Sequence, residues 1–153
     1  MKKKRYFEII SNYINNNIKI PKRQTKFSAG YDLASAEDVI FQPKEIKLLP
    51  TGVKVYFEPT EFLMICIRSS VPIKKKLILS NGVGIIDHDY YNNKENEGHI
   101  FISLYNFTNE IVKINKGERI AQGIFQKYYI VEEKIDNHIL NNQRKGGFGS
   151  TNY

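Results

Sequence analysis

Short apolar runs, separated by Pro, Gly or Asn, dominate the hydrophobic pattern of this chain, and helical periodicity is scarce. The runs are rich in β-branched and aromatic residues. They predict strands, because such side chains suit a pleated backbone and the separating residues favour turns. The clearest runs are residues 52–57, 62–67, 99–107, 111–114 and 120–131. The last fits one long strand or two shorter ones, with Gly123 as a candidate bulge.

Many short strands at near-regular spacing predict an all-β sandwich or barrel. Neither an internal repeat nor a linker interrupts the 153 residues. We therefore predict one β domain over residues 1–143, followed by a flexible glycine-rich arm over residues 144–153. Cys66 lies inside the apolar run 62–67, so we expect a buried and inert thiol.

Composition narrows the class of protein further. The hydrophobic fraction of 41% and charged fraction of 25% are ordinary for a globular protein. The net charge of +7 suits a polyanionic ligand, but only five of the 23 cations are Arg, so we expect no nucleic-acid partner. A single cysteine excludes an intrachain disulfide. No apolar stretch predicts a signal peptide or membrane span, and we expect a cytoplasmic protein.

The segment 81–90 (NGVGIIDHDY) carries the first candidate chemistry. Gly82 and Gly84 allow the main chain to approach a ligand closely, because no Cβ stands in the way. Asp87 follows two apolar residues and can act as a general base on a water. Tyr90 offers a flat face for a sugar. The alternative is an ordinary glycine-bearing β-turn.

Two further segments combine cations with hydroxyl or amide groups. Arg68, Ser69 and Ser70 follow a predicted strand and precede a turn, an arrangement that suits a phosphate. The alternative for Arg68 is an ion pair with a surface carboxylate. Residues 117–122 (GERIAQ) form a turn that leads into a strand, where Arg119 can pair with Glu118 or solvent.

The chain end, residues 144–153 (RKGGFGSTNY), combines glycines, the hydroxyls of Ser150 and Thr151, and the aromatic ring of Phe148 between two glycines. Glycine loses the most conformational freedom on ordering, so a solvated tail is the first interpretation. The second is a segment that orders on a ligand, since bare amides and hydroxyls suit phosphate and a ring suits a flat base.

Together these segments resemble a known family. Residues 29–33, 68–70, 81–90, 117–122 and 144–151 are similar, in order and spacing, to the five motifs of the trimeric dUTP pyrophosphatases (dUTPases). The resemblance implies a distorted jelly-roll-like β barrel. It also implies a homotrimer in which a C-terminal arm closes over an active site shared between subunits. The implied reaction is hydrolysis of dUTP to dUMP and pyrophosphate, with Mg²⁺ on the triphosphate.

The resemblance also implies roles for individual residues. Asp87 matches the catalytic aspartate that activates the water attacking the α-phosphorus, and Tyr90 matches the tyrosine beneath the deoxyribose. Asp32 matches an aspartate that touches the water shell of the metal, which no side chain binds directly. The remaining matches are to the uracil hairpin (Asn81, Gly84, Ile85, Ile86), the phosphate contacts (Arg68, Ser69, Ser70, Gln122) and the arm (Arg144, Phe148, Gly149, Ser150, Thr151). In the arm, Phe148 is expected to stack on uracil and the others to lie near the γ-phosphate.

Three departures from the motifs stand out. Ser70 occupies a position that is usually glycine. Only Lys145 separates Arg144 from the glycine pair, where two residues are usual, so the spacing that would bring Arg144 to phosphate differs from the family pattern. Residues 91–97 (YNNKENE) are inserted before Gly98. We expect this insert to be a polar surface loop, with a docking surface for a regulatory protein as the alternative.

Two other functions compete with dUTP hydrolysis. A dCTP deaminase shares the fold but places a glutamate within the segment that here reads IDHDY and lacks the FGST tail. The second alternative is a binding module without catalytic activity. The presence of Asp87, Tyr90 and Phe148 argues against a loss of catalysis. The three histidines have no metal-ligand spacing, and strand alternation predicts that His88 points away from Asp87.

Overall fold

The computed structural model describes residues 4–132 and 143–149, and in that part of the chain it is almost entirely β. The strands are β1 (Tyr6–Ile9), β2 (Tyr31–Ala34), β3 (Val39–Phe41), β4 (Ile46–Pro50), β5 (Val53–Tyr56), β6 (Glu61–Ile67), β7 (Leu77–Leu79), β8 (Gly84–Ile86), β9 (Phe101–Asn106), β10 (Val112–Ile114) and β11 (Arg119–Lys127). The single α-helix of this part of the chain is α1 (Val71–Lys74), and 3-10 turns occupy Ser11–Tyr13 and His88–Tyr90.

The strands form four small antiparallel sheets with the orders β1-β5, β10-β3, β2-β11-β6-β8 and β4-β9-β7. Most neighbours in these sheets are distant in sequence, as in a jelly roll. The fold is therefore the distorted jelly-roll-like β barrel that the sequence predicted. Among the described residues, no helix is long and apolar enough to cross a membrane.

One hydrophobic core fills the barrel, and alternation along the strands builds it. In β9, Ile102 and Leu104 are fully buried, whereas Phe101, Ser103 and Tyr105, which alternate with them, are half-buried. Asn106 is also buried, and its amide donates to the carbonyl oxygens of Gln42 (3.0 Å) and Glu110 (2.7 Å). The largest fully buried side chains are Phe41, Phe57, Leu33, Leu49, Leu63, Leu77, Ile100, Ile102, Leu104, Ile114, Ile120 and Val53.

The structure confirms the five predicted strands and corrects some details. The run 120–131 forms one strand that ends at Lys127. Its irregularity falls between Arg119 and Ala121, whereas Gly123 pairs regularly with Tyr31 and Ile65. Strand β6 alternates between buried and half-buried residues, so Cys66 is only partly buried, contrary to the sequence prediction. The predicted domain boundary at residue 143 lies beside residues 133–142, outside the described part, and stays a prediction.

Candidate active site

Residues 81–90 and strand β6 form one side of a cavity of about 230 Å³. Strand β8 pairs with β6 and places Gly84 opposite Ile65. A Cβ on Gly84 would lie 3.0 Å from the Ile65 Cβ atom, so glycine allows this close pairing. The cavity is lined by Ile65, Leu79, Asn81, Gly84, Ile85, Ile86, Asp87, Tyr90, Phe101, Ile102, Ser103, Arg144, Gly147 and Phe148. The structure thus brings together the hairpin predicted to bind uracil, the predicted general base Asp87, the tyrosine predicted to lie beneath the sugar (Tyr90), and part of the C-terminal arm.

Asp87 lies at the end of β8, where the chain turns into the 3-10 helix His88–Tyr90. Its side chain is 51% exposed at the rim of the cavity. His88 turns away, as predicted, with Nδ1 2.7 Å from the carbonyl oxygen of Phe57. The reason is the turn of the 3-10 helix, however, and not strand alternation.

Tyr90 is held rigidly beneath the cavity. Its ring is buried, and its hydroxyl donates to the carbonyl oxygen of His99 (2.7 Å) and accepts from Nδ2 of Asn96 (2.8 Å). Burial raises the pKa of the Tyr90 phenol, so the side chain stays neutral at physiological pH. A ring bonded at its far end and packed on its faces forms a fixed wall.

Arg144 contacts two carboxylates of the same chain. Its Nη2 atom lies 2.5 Å from Oδ2 of Asp87, and its Nε atom lies 2.6 Å from Oδ1 of Asp89. The sequence predicted that Arg144 lies near a γ-phosphate, and the structure places it beside the predicted catalytic carboxylate. Local sequence gave no signal for a role of Asp89 in holding Arg144, because the contact joins residues 55 positions apart.

Phe148 lies over the mouth of the cavity, with its ring edge-on to Phe101 at 6.5 Å between centroids. The Phe148 side chain is 65% exposed. Phe148 and Gly149 both have positive φ angles, so the backbone turns sharply here. Ser150 and Thr151, the last two predicted arm contacts, lie outside the described residues.

The predicted phosphate residues form a second cluster. Asp32 pairs with Nε of Arg68 (3.3 Å) and with Nη1 of Arg119 (3.0 Å), while Arg68 also donates to the carbonyl oxygen of Arg119 (3.2 Å). The sequence left a carboxylate partner for Arg68 as the alternative, and Asp32 is that partner. A cavity of about 330 Å³ lies here, lined by Arg68, Ser70, Val71, Lys74, Lys75, Gly117, Glu118, Arg119 and Ile120. Ser69 is exposed next to Ser70.

The position of the Gln122 side chain depends on Gly30, which lies in the motif of residues 29–33. A Cβ on Gly30 would lie 2.3 Å from the Oε1 atom of Gln122, so only glycine leaves room for this side chain. Arg119 is the residue of the cluster whose role the sequence left undecided. Among the described residues, none lines both this second cavity and the one beside Asp87.

Among the described residues, no group of three or more His, Cys, Asp or Glu side chains is arranged to hold a metal ion. Asp32, with its side chain 11% exposed between two arginines, is a carboxylate that can accept hydrogen bonds from metal-bound water.

A nucleoside-sized cavity with a carboxylate at its rim, and a cationic cluster apart from it, are typical of an enzyme that acts on a phosphorylated nucleoside. The family model of the dUTPases matches residues 16–152. A deoxyuridine 5'-triphosphate nucleotidohydrolase of Lactococcus lactis is 52% identical over 147 residues, which are 96% of this chain and 97% of that protein. Its counterpart in Haemophilus influenzae is 37% identical over 93% of each chain.

Solved structures agree with these relatives. A crystal structure of dUTPase from Streptococcus mutans superimposes with a TM-score of 0.80 at 46% identity, covering 84% of this chain and 99% of that one. The dUTPase from phage phi11 of S. aureus shares the fold at 24% identity, with a TM-score of 0.72 over 87% of this chain and 96% of that one. The chain belongs to the dUTPase family and is a dUTP-hydrolysing enzyme.

Proposed function

We propose that Asp87 is the general base of dUTP hydrolysis. A water that gives its proton to the carboxylate attacks the α-phosphorus, the bond from that phosphorus to the α,β-bridging oxygen breaks, and dUMP and pyrophosphate leave. The observation that carries this proposal is the position of Asp87: a half-exposed carboxylate at the rim of a nucleoside-sized cavity, directly after β8. The product dUMP would supply thymidylate synthesis, and removal of dUTP would keep uracil out of DNA.

Main-chain groups of the hairpin are proposed to select uracil. Strand β8 is the last strand of its sheet among the described residues, so its outer edge has peptide groups that a base can pair with as another strand would. Asn81, Gly84, Ile85 and Ile86 line this edge of the cavity. Cytosine would be rejected because its exocyclic amine would face a donor, leaving buried polar groups unpaired.

The fixed Tyr90 ring is proposed to select the deoxyribose, since a wall that cannot move excludes a 2′-hydroxyl. Phe148 would then cover the base, with its exposed ring face against uracil. Gly149, Ser150 and Thr151 remain proposed contacts of the triphosphate.

We propose that the phosphates lie against Arg68, Ser69, Ser70 and Gln122. Positioning and charge neutralisation provide most of the catalysis in phosphoryl transfer, and the cluster around Arg68 is suited to both. Mg²⁺ would enter with the triphosphate and neutralise its charge, with Asp32 holding one of the metal-bound waters.

A homotrimer with shared active sites is the arrangement we propose, because no described residue of one chain lines both the nucleoside cavity and the phosphate cluster. A neighbouring subunit would bring its phosphate cluster to the nucleoside cavity of this one. The segment after β11 supports such contacts, because Tyr129, Ile130 and Val131 are 95%, 79% and 72% exposed.

A substrate panel tests the reaction. The protein is incubated with Mg²⁺ and dUTP, dCTP, dTTP or UTP, and pyrophosphate and the base of each product are measured. We expect rapid pyrophosphate release from dUTP alone. Ammonia release from dCTP would make the chain a deaminase, and binding of dUTP without turnover would make it an idle binding module.

Asp87→Asn tests the base. We expect it to abolish turnover while dUTP still binds, because the amide cannot take the proton. Asp89→Asn is the matched control, since Asp89 shares the pairing with Arg144 and should retain most of the turnover. Normal turnover in Asp87→Asn would refute the assignment.

A further inference from the structure

The insert of residues 91–97 is the polar surface loop that its composition predicts, and buried contacts at both of its ends order its backbone. Asn93 is buried, and its Oδ1 atom accepts from the backbone N–H groups of Glu95 (3.0 Å) and Asn96 (3.1 Å). Its Nδ2 atom donates to the carbonyl oxygen of Tyr90 (2.8 Å). One buried side chain thus fixes the backbone of the insert and ties it to the end of the active-site segment.

A buried lysine anchors the other side of the insert. Nζ of Lys54, which projects from β5, lies 2.7 Å from Oδ1 of Asn92 and 2.8 Å from Oε1 of Glu97. The Lys54 side chain is only 11% exposed, so this pairing is largely shielded from solvent. The insert is therefore held in one conformation before anything binds to it.

The ordered insert contacts residues 143–149, which we call the C-terminal segment. The backbone N–H of Glu95 donates to the carbonyl oxygen of Lys145 at 3.1 Å. A Cβ on Gly146 would lie 1.6 Å from Oε2 of Glu95, so the Glu95 carboxylate occupies the space that glycine leaves open. The next residue, Gly147, packs directly on the Tyr90 ring, since a Cβ there would lie 2.8 Å from its Cε2 atom.

The insert and the shortened spacing of the C-terminal segment meet at one point. Lys145 is the single residue between Arg144 and the glycine pair, and its carbonyl oxygen is the acceptor for the insert. The residues inserted at 91–97 thus contact the C-terminal segment at the point where that segment is one residue shorter than usual.

We propose that the 91–97 insert is the docking surface for the C-terminal segment and that it holds Arg144 against Asp87 and Asp89. The inference rests on the proposed role of Asp87, because the docked Arg144 occupies an oxygen of the carboxylate that must accept the proton. The nucleotide-free enzyme is closed in this state, and Arg144 leaves Asp87 when the triphosphate offers it a stronger anion.

A cysteine pair tests the docking directly. In a disulfide, the sulfur of one residue lies about 3 Å from the Cβ atom of the other. The Glu95 Cγ atom, whose place a cysteine sulfur would take, lies 3.1 Å from a Cβ built on Gly146. In a Cys66→Ser background, Glu95→Cys combined with Gly146→Cys should therefore cross-link under mild oxidation.

The control combines Glu95→Cys with Gly149→Cys, because a Cβ on Gly149 meets no atom of the described residues within 4 Å. We expect the first pair to cross-link at least tenfold faster than the control, as measured by peptide mass spectrometry on the nucleotide-free protein. Equal rates for the two pairs would overturn the proposal.

A non-reducing gel shows whether the C-terminal segment that contacts the insert belongs to the same chain or to another copy of it. A cross-link within one chain and one between two chains both place the segment on the insert. The cross-link forms without turnover, so it stands or falls separately from the assignment of Asp87, which Asp87→Asn tests.

Discussion

At the scale of single residues, two neighbouring glycines illustrate why position decides the effect of a side chain. Gly146 faces the free end of the Glu95 side chain, which can rotate away from an added methyl group. Gly147 faces the Tyr90 ring, which is buried and bonded through its hydroxyl to His99 and Asn96. The sequence shows only two identical residues, and their neighbours in space make them different.

Gly147→Ala should raise KM for dUTP by roughly tenfold, which corresponds to about 1.4 kcal/mol. The added methyl group meets a ring that cannot move, so the C-terminal segment no longer seats over the cavity. Gly146→Ala is the matched control and should change KM by no more than about twofold, because Glu95 can move. Steady-state kinetics measure both, and equal effects of the two substitutions would contradict this account.

At the scale of elements, the insert shows how a predicted surface loop can be ordered. Its polar composition predicts a surface loop, which the structure confirms, and buried contacts of Asn93 and Lys54 hold that loop in place. A polar side chain can be buried when its hydrogen bonds are satisfied, and composition does not reveal whether partners exist. Those partners come from β5 and from the segment that ends at Tyr90. A regulatory protein that docks on the insert stays an alternative prediction.

Lys54→Met should destabilise the protein by about 1–3 kcal/mol, because it removes the cation that pairs with Asn92 and Glu97. The backbone amides of residues 91–97 should exchange with solvent faster, as measured by hydrogen–deuterium exchange. Lys94→Met provides the control, since Lys94 is an exposed residue of the same insert. Unchanged exchange in Lys54→Met would show that Lys54 does not anchor the insert.

At the scale of the whole molecule, the fold makes stability depend on pH through His99. This side chain is buried, and its Nε2 atom accepts a hydrogen bond from the backbone N–H of Gly52 (2.8 Å). Burial lowers the pKa of His99 from 6.5 to about 4. The folded protein therefore binds fewer protons at this site than the unfolded chain does between these two pH values.

Stability should fall as the pH is lowered from about 6.5 towards 4.5, by up to about 1.4 kcal/mol per pH unit. Above pH 6.5 the contribution of His99 is fully present. His99→Gln should flatten this dependence, because the glutamine oxygen can still accept from Gly52 but does not titrate. Urea midpoints over the pH range measure the effect, and an unchanged slope in the variant would assign it to other groups.

Shared active sites make a second prediction at this scale. Asp87→Asn and Arg68→Gln should each be inactive alone, because the first removes the general base beside the nucleoside cavity and the second removes a cation of the phosphate cluster. When the two variants are co-expressed, each mixed trimer should retain one intact site of its three, or about one third of normal activity. Absence of any recovery, or a monomer in solution scattering, would contradict the shared-site arrangement.

Much of the fold was predictable, and the failures have physical causes. Runs such as 52–57 and 99–107 predicted strands because their apolar positions are numerous enough to show the pattern. Strands β3 and β7, of three residues each, were not predicted, because three residues offer too few alternations. The equally short β10 was predicted because it lies in the longer apolar run 111–114. The helix at Val71–Lys74 was predicted as a turn, and one helical turn has no periodicity to detect.

The sequence by itself determined the family, the all-β class and the residue types of the site, because five short motifs need particular side chains at fixed spacings. Tertiary structure decided which of those residues meet. It placed Asp87, Tyr90 and Phe148 around one cavity and put Arg68 with Asp32 beside another. It also set Arg144 on Asp87 and the insert beneath the C-terminal segment. These contacts join residues far apart in the chain, and only the pairing of strands and the packing of the core bring them together.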